Sequence, residues 1–289
     1  MPIIEPAIRP PAEAFSFLLQ VTLGCSSNNC TFCGAYKGKP FSIKPLSEII
    51  TDIEIERRDE ADTRKIFLMD GNALVLPNKT LVSILQKLHE TFPKLTRISS
   101  YANGEDIARR NQEELKELAD LKLNLIYLGL ESGSQEILDD CHKKTSVSQM
   151  VEAVNKAETA GIKSSVMVLL GLGGIKNSRL HIEKTSLALN QMQPKLLSFL
   201  SLMLIPGTEL YKAAKKGEFQ ELNSRELLVE ARDILAGLDL KQTVFRCNHA
   251  SNYLSLEGRL PQDKVKLLRQ INAALLGKTN LKPEFLRGL

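Results

Sequence analysis

The chain has 289 residues, 43% hydrophobic and 25% charged, with a formal net charge of +4 spread over scattered lysines and arginines. That is the balance of a soluble globular protein long enough for one large domain, or one domain with an appendage. No apolar run reaches the ~20 residues that cross a bilayer, and the start, MPIIEPAIRPPAEAF, lacks the basic start and continuous apolar stretch of a secretory signal, so neither a membrane span nor export is expected, and a cytoplasmic, reducing setting is.

Phe17 to Thr22 (FLLQVT) reads as a buried strand, and Leu46 to Ala61 as a helix whose apolar positions are Ile49, Ile50, Ile53 and Ile55. Lys65 to Met69 (KIFLM) is a second strand, and Leu81 to Phe92, with leucines at helical spacing, a second helix. Arg97 to Tyr101 follows as a short strand and Asn111 to Leu121 as a helix. Leu125 to Leu130 (LIYLGL) is a strand, with Ser134 to Cys141 and Ser148 to Ala160 helical after it. Gly161 caps that helix, and Lys163 to Leu170 (KSSVMVLL) forms the fifth strand. Asn177 to Asn190 is helical, and Leu196 to Leu202 is a sixth strand that runs into Pro206-Gly207.

Six strand–helix units in this span predict a parallel sheet with helices outside it. A closed eight-stranded barrel needs about 250 residues, so the expected fold is α/β, a partial (β/α)6 TIM-type barrel over residues 1–215. The alternation stops near Gly217. Asn223 to Leu235 and Gln262 to Leu276 look helical, with a strand-like TVF (Thr243 to Phe245) between them, so residues 216–289 are expected to form a mainly helical extension over the barrel mouth.

Three of the five cysteines, Cys25, Cys30 and Cys33, fall within nine residues just after the first strand. In an α/β barrel the loops that follow strands carry the ligand sites. Thiolates this close favour zinc or an iron–sulfur cluster. A structural zinc ion wants four protein ligands, and only His249 or Cys141 is left to complete it, neither within a partner motif. Three thiolates instead suit a [4Fe–4S] cluster with one iron left open.

The segment VTLGCSSNNCTFCGAYKGK resembles the radical SAM superfamily, whose signature is C-x3-C-x2-C with an aromatic residue before the last cysteine. Phe32 takes the aromatic position, while the first gap holds four residues, Ser26 to Asn29, instead of three. The CSxxxCTFC form followed by Tyr36 resembles an uncharacterised subgroup related to the Elongator subunit 3 and oxygen-independent coproporphyrinogen oxidase branches.

Later loops agree in family order. Asp70-Gly71-Asn72 stands where the superfamily has a Gly-Gly-Glu-like turn whose backbone accepts the methionine ammonium. Gly129 to Ser134 is similar to the GxESG stretch of those branches. The resemblance assigns Glu131 to the ribose hydroxyls or the methionyl group, with Ser132 beside it. Gly171 to Gly174 allows close backbone approach to adenine or substrate, and Ile205 precedes a PGT segment placed beside the adenine. The cofactors so implied are a [4Fe–4S] cluster and S-adenosylmethionine, cleaved reductively to a 5′-deoxyadenosyl radical.

Phe245 to Leu254 (FRCNHASNYL) is rich in hydrogen-bonding side chains without helical or strand period and resembles the FRxNHASN segment of the same subgroup. There His249 would serve as acid or base and Arg246 would grip a carboxylate or phosphate; the plain alternative is a hydrogen-bonded connector. Cys141 and Cys247 offer too few thiols for a second cluster. The expected partners are a small-molecule substrate and a reductant such as flavodoxin or ferredoxin, with no membrane; RNA is compatible with the charge but has no identifiable patch. The competing reading is a non-catalytic relative that binds or loads a cofactor.

Overall fold

The computed structural model describes residues 3–60 and 62–288. Strand β1 (Phe17–Gln20) leads into β2 (Thr22–Leu23), which pairs antiparallel with β3 (Ser42–Ile43), so a small ribbon brackets the cysteine segment. There follow α1 (Leu46–Asp59), β4 (Lys65–Met69), α2 (Asn78–Thr91), β5 (Arg97–Ala102), α3 (Gly104–Ala108), α4 (Gln112–Asp120) and β6 (Leu123–Glu131). Next come α5 (Gln135–Asp140), α6 (Val147–Thr159), β7 (Lys163–Leu170), α7 (Gly174–Met192), β8 (Leu196–Ser201) and α8 (Glu209–Lys215). The chain finishes with α9 (Ser224–Gly237), β9 (Thr243–Arg246), β10 (Glu257–Leu260) and α10 (Lys264–Leu275).

The six expected strands are present and sit in an α/β sheet of order β1-β4-β5-β6-β7-β8-β9-β10. β1, β4, β5 and β6 run parallel, as do β7, β8 and β9, while β10 returns antiparallel to β9. Two further strands extend the sheet: the strand-like TVF stretch, as β9, and β10. Val244 to Arg246 pair with Leu196 to Ser198, so the TVF stretch joins the sheet rather than lying alone between helices. Strands of four residues carry too few alternations for a period to show. The helix expected to end at Ala61 reaches Asp59; Ala61 itself lies outside the described residues.

Local chemistry explains several boundaries. Inner strands of a parallel sheet are covered on both sides and read as apolar runs, and four of the five residues of β4 are buried. Asn111 and Glu114 form a reciprocal capping box that starts α4, and Asn223 and Glu226 do the same for α9. Thr208 caps the unexpected α8, accepting from Tyr211 N after a turn in which Pro206 and Gly207 (φ +90°) take the central places.

The chain divides into two compact units. The first comprises residues 1–29, 33–128 and 155–164. Its N-terminal segment is tied to the sheet by Glu13, which is fully buried. The Glu13 carboxylate accepts from Ser16 Oγ at 2.6 Å, Tyr127 Oη at 2.6 Å and Arg97 Nη2 at 2.7 and 2.8 Å. The aromatic rings of Phe67, Tyr101 and Tyr127 meet edge to face beside it.

The second unit comprises residues 30–32, 129–154 and 165–289. In β7, β8 and β9 one face is buried, with Val166, Val168, Leu197, Phe199 and Phe245 on it, and Phe199 and Phe245 meet edge to face at 5.0 Å. The opposite face, carrying Met167, Leu169, Ser198, Leu200, Val244 and Arg246, is only half-buried. Replacing Glu13 with Ala strands the Tyr127 hydroxyl and the Arg97 guanidinium together, and a loss of about 3 kcal/mol in stability is expected from urea unfolding; an unchanged midpoint would contradict this anchoring role.

Candidate functional site

In the first unit, the cysteine segment leaves β2 at Gly24, where φ is +71° and an added Cβ would lie 2.9 Å from the Lys39 carbonyl oxygen, so only glycine fits. Asp70, at the C-terminal end of β4, is fully buried. Its Oδ2 accepts from Gly24 N at 3.0 Å and from Lys39 Nζ at 2.6 Å, and its Oδ1 accepts from Gln20 Nε2 at 3.3 Å. Gly24 stands just before Cys25, and Lys39 stands beyond Cys33. One carboxylate therefore ties both ends of the cysteine loop. The Lys39 ammonium spends its other donors on the carbonyls of Ile4 (2.6 Å) and Pro6 (2.8 Å), so the buried pair is fully hydrogen-bonded, which is the condition for its stability.

The rest of the turn lies against the same loop. Gly71 N donates to Gly24 O at 3.1 Å, and a Cβ at Gly71 would come within 2.8 Å of Cys25 Cβ. Asn72 is buried, donates to Ser26 Oγ at 2.9 Å and to the Asp106 carboxylate, and accepts from Asn103 N. Asn103 Nδ2 donates to Ser27 Oγ at 3.0 Å, and Asn28 Nδ2 to Tyr36 O at 2.8 Å. The four-residue gap is thus pinned along its length, and the extra residue costs the loop no order. The side chains of Asp70 and Asn72 are occupied by this work, which leaves the turn's backbone for any ligand.

The second unit holds the middle of the cysteine segment. Thr31 N donates to Cys141 O at 3.0 Å, and Leu210 N to Thr31 O at 2.9 Å. Phe32 packs on a cluster of Ile137, Cys141, Leu172, Leu202 and Leu210. Cys30 is buried, Cys25 and Cys33 are half-buried, and none of the cysteines is in a disulfide. Burial pushes the thiols of Cys141 and Cys247 up to about 12, so both stay protonated core residues near neutrality. Among the described residues no three His, Cys, Asp or Glu side chains converge on one metal-ion position; a cluster places each thiolate on a different iron and does not require that convergence.

Glu131 ends β6 with φ +63°, and Ser132 N closes back onto Leu130 O at 2.8 Å, a tight three-residue turn rarely adopted by a side-chain-bearing residue. Strain of this kind persists where surrounding structure enforces it and clusters at functional sites. The Glu131 carboxylate folds back over Gly129, where a Cβ would lie 2.0 Å from it, and accepts from Lys143 Nζ at 3.2 Å.

Ser132 is fully buried and holds the turn from the other side. Its hydroxyl meets His181 Nδ1 at 2.8 Å, and the far ring nitrogen, Nε2, lies 3.6 Å from Glu230 Oε1. Glu230 in turn accepts from Gly171 N at 2.5 Å and from the Ser178 hydroxyl. Both titratable members are fully buried. Burial alone lowers His181 to about 4 and, as the largest cause, raises Glu230 to about 7, so each resists its charged form. Gly171 has φ +84° and faces Leu227 of α9 at 2.9 Å from an added Cβ. Ile205 is half-buried, and its carbonyl accepts from Thr208 N at 3.2 Å and Thr208 Oγ1 at 2.7 Å.

The donor-rich segment is docked on the end of β8. Ser201 N donates to Ser251 Oγ at 3.1 Å, Ser201 Oγ to Asn252 Oδ1 at 2.9 Å, and Asn252 Nδ2 to Phe199 O at 2.8 Å. Ser251 N donates to His249 Nδ1 at 3.2 Å, which assigns the ring proton of neutral His249 to Nε2. Burial and the Lys282 charge lower the His249 pKa, so it is neutral near pH 7. Arg246 ends β9, and its Nε finds no hydrogen-bond partner among the described residues.

Sequence reasoning misses Lys39, Asn103, Asp106, His181 and Glu230. Nothing local marks them: each acts through a partner at least 31 residues away, as Lys39 does on Asp70 and Asn72 on Asp106.

A profile described as the Radical SAM superfamily matches residues 19–183. An uncharacterized protein of Methanocaldococcus jannaschii is 24% identical over 265 residues, covering 88% of this chain and 77% of its own length. Among solved structures, the radical S-adenosylmethionine methyltransferase TsrM from Kitasatospora setae, with cobalamin and a [4Fe–4S] cluster bound, superposes with a TM-score of 0.57 at 16% identity, covering 69% of this chain and 39% of that one. The archaeal Methanocaldococcus infernus Elp3 superposes with a TM-score of 0.55 at 16% identity, covering 92% and 64%. The chain therefore spans under two thirds of both solved relatives, and the likeness to them is one of fold.

Replacing Asp70 with Asn leaves the Lys39 ammonium buried without a counter-charge. A loss of about 3–5 kcal/mol is expected by chemical unfolding, partly recovered when Lys39 is also changed to Met; equal stability of all three proteins would contradict the latch. Because Glu230 is raised from its ordinary value to about 7, the folded state binds the extra proton, and stability falls as pH rises from about 4.5 through 7. Glu230→Gln removes that fall. Thermal melts should show the variant gaining on the native protein between pH 5 and pH 8 by up to about 3 kcal/mol; a constant difference would contradict the raised pKa.

Proposed function

The chain belongs to the radical SAM superfamily, and from that membership we propose an enzyme that holds one [4Fe–4S] cluster on Cys25, Cys30 and Cys33 and binds S-adenosylmethionine beside it. The observation that carries the reading is the anchoring of the cysteine loop: Asp70 fastens both ends, and Asn72 and Asn103 fasten the four-residue gap. A loop built only as a connector has no need of a buried ion pair, because desolvating two charges is costly. The donor set also fits, since three thiols suit a cluster with one iron open, and Gly71 leaves space beside Cys25 that a side chain would fill. When bound, the cluster supplies the electron that cleaves S-adenosylmethionine to methionine and a 5′-deoxyadenosyl radical.

The residues of this chain then bind and orient. Gly71 and Asn72 present backbone to the methionine ammonium, with the Asn72 side chain already spent on the loop. Glu131, held rigid by its turn and by Lys143, accepts from the ribose hydroxyls, a role suited to a carboxylate with two oxygens. Gly171 and Ile205 lie along the adenine side, and Phe32 packs the loop from behind. His249, neutral with its proton on Nε2, serves the substrate as a hydrogen-bond donor rather than as a charged acid. The substrate is a small molecule, and a flavodoxin- or ferredoxin-type protein is the reductant.

The test is anaerobic. After reconstitution with iron and sulfide, the protein given dithionite and S-adenosylmethionine should form 5′-deoxyadenosine, and Cys30→Ala should form at least a hundredfold less. Cluster loading without any cofactor cleavage would contradict the enzymatic reading and favour a relative that binds or loads a cofactor.

A further inference from the structure

Arg246 is the last residue of β9, and strand register identifies its surroundings on the half-buried face of the second unit. Ser198 of β8 lies opposite it, Leu196 and Leu200 flank Ser198, and Val244 precedes it on its own strand. On the reverse face of the same strand, Phe245 is fully buried against Phe199, so Arg246 cannot rotate into the core and its backbone position is fixed by ladders on both sides. The setting is a cation among leucine, valine and one hydroxyl, with the exposed Glu257 in register across from it on β10.

Its Nε is shielded from solvent yet has no hydrogen-bond partner among the described residues. Glu257, opposite on β10, makes no ion pair with it and instead accepts from Asn248 Nδ2 at 3.5 Å. Arg110 donates to the carbonyls of Leu74 and Leu76 at 2.8 Å each, and Arg97, whose Nε is likewise unpartnered among the described residues, gives its Nη2 to the Glu13 carboxylate. A shielded donor left unmade costs about 1–3 kcal/mol, more for a charged group. Such a group is explained when something outside the chain completes it. In parallel α/β sheets that something binds at the carboxyl ends of the strands, where Arg246 stands.

We propose that Arg246 binds a carboxylate group of the substrate. The inference rests on the reading that this end of the sheet faces substrate. The side-on edge of a guanidinium, Nε–H with one Nη–H, presents two parallel donors spaced for the two oxygens of a carboxylate. One cation among apolar neighbours balances one negative charge. A phosphate dianion would leave an uncompensated charge against Leu196, Leu200 and Val244, which is strongly unfavourable. The Ser198 hydroxyl, in register across the strand pair, is a neutral donor or acceptor for the rest of the same group. The substrate class so identified is a small carboxylic acid, an amino acid or a conjugate that carries one.

The test needs neither cluster nor cofactor. In the full chain labelled with ¹⁵N-arginine, the shielded Nε–H of Arg246 gives a slowly exchanging signal, identified by its loss in Arg246→Lys. Titration with sodium acetate at constant ionic strength should shift that signal saturably. In uniformly ¹⁵N-labelled protein, the accompanying shifts at the Val244 and Phe245 amides should weaken at least tenfold in Arg246→Gln. No saturable shift with acetate overturns the proposal, as does saturation by inorganic phosphate at a lower concentration than by acetate, or an equal response to chloride. Formation of 5′-deoxyadenosine by the native protein is read separately. A failed titration beside intact cofactor cleavage removes only the carboxylate assignment, while loss of cleavage in the native protein removes the radical chemistry.

Discussion

Lys39 and Asp70 meet in a buried ion pair, 2.6 Å apart, with the remaining donors of the ammonium on Ile4 and Pro6 and the remaining acceptors of the carboxylate on Gly24 and Gln20. Neither charge is tolerable there without the other, because each partner alone would carry a desolvation cost of several kcal/mol. The pair therefore acts as a clasp. It fixes where the loop that bears the cysteines begins and where it ends, and β4 fixes the clasp, since Asp70 immediately follows that strand. The turn that a ligand would meet and the two ends of the loop that bears the thiols are thereby tied together within the first unit, consistent with the general need to hold reactive groups within fractions of an ångström by packed supports.

A second support of different character stands in the second unit. Ser132, His181 and Glu230 link the turn at Glu131 to Gly171 through two helices, α7 and α9, with no net charge demanded of any member. Burial drives the two titratable groups in opposite senses, histidine down and glutamate up, and both shifts favour the neutral forms. The network carries no ion pair between neutral forms, and His181 Nε2 is left without a hydrogen-bond partner among the described residues. It couples the strained turn after β6 to the loop after β7, so that Glu131 is held by Lys143 on one side and through Ser132 on the other. The left-handed backbone at Glu131 is stable because both neighbours are fixed.

The sequence is most readable where chemistry is local. Cys25, Cys30 and Cys33 announce themselves by spacing, and the β4 and β7 runs by composition. Asp70 is legible from its position after a strand, but its partner Lys39 is not, since a lysine among scattered lysines carries no mark until the fold buries it. His181 and Glu230 lie in helices α7 and α9 as ordinary polar residues of amphipathic segments, and only tertiary packing turns them inward. The same limit explains β10, whose four-residue length holds too few alternations to separate strand from loop. Arg246 shows the converse. Its residue type and neighbours suggest an anion, but only the structure reveals that its Nε is shielded and unmatched.

Within its own unit each support fixes what it touches: Asp70 the ends of the cysteine loop, and Ser132 the turn at Glu131. On the function proposed above, the three thiols would hold an iron–sulfur cluster with one iron open to S-adenosylmethionine. Mössbauer spectroscopy of protein reconstituted with ⁵⁷Fe tests that claim most directly. The account predicts a [4Fe–4S] signal in which the component from one iron in four changes when S-adenosylmethionine is added, and the other three stay as they were. A spectrum indifferent to S-adenosylmethionine, or protein that takes up zinc and no cluster, would contradict it.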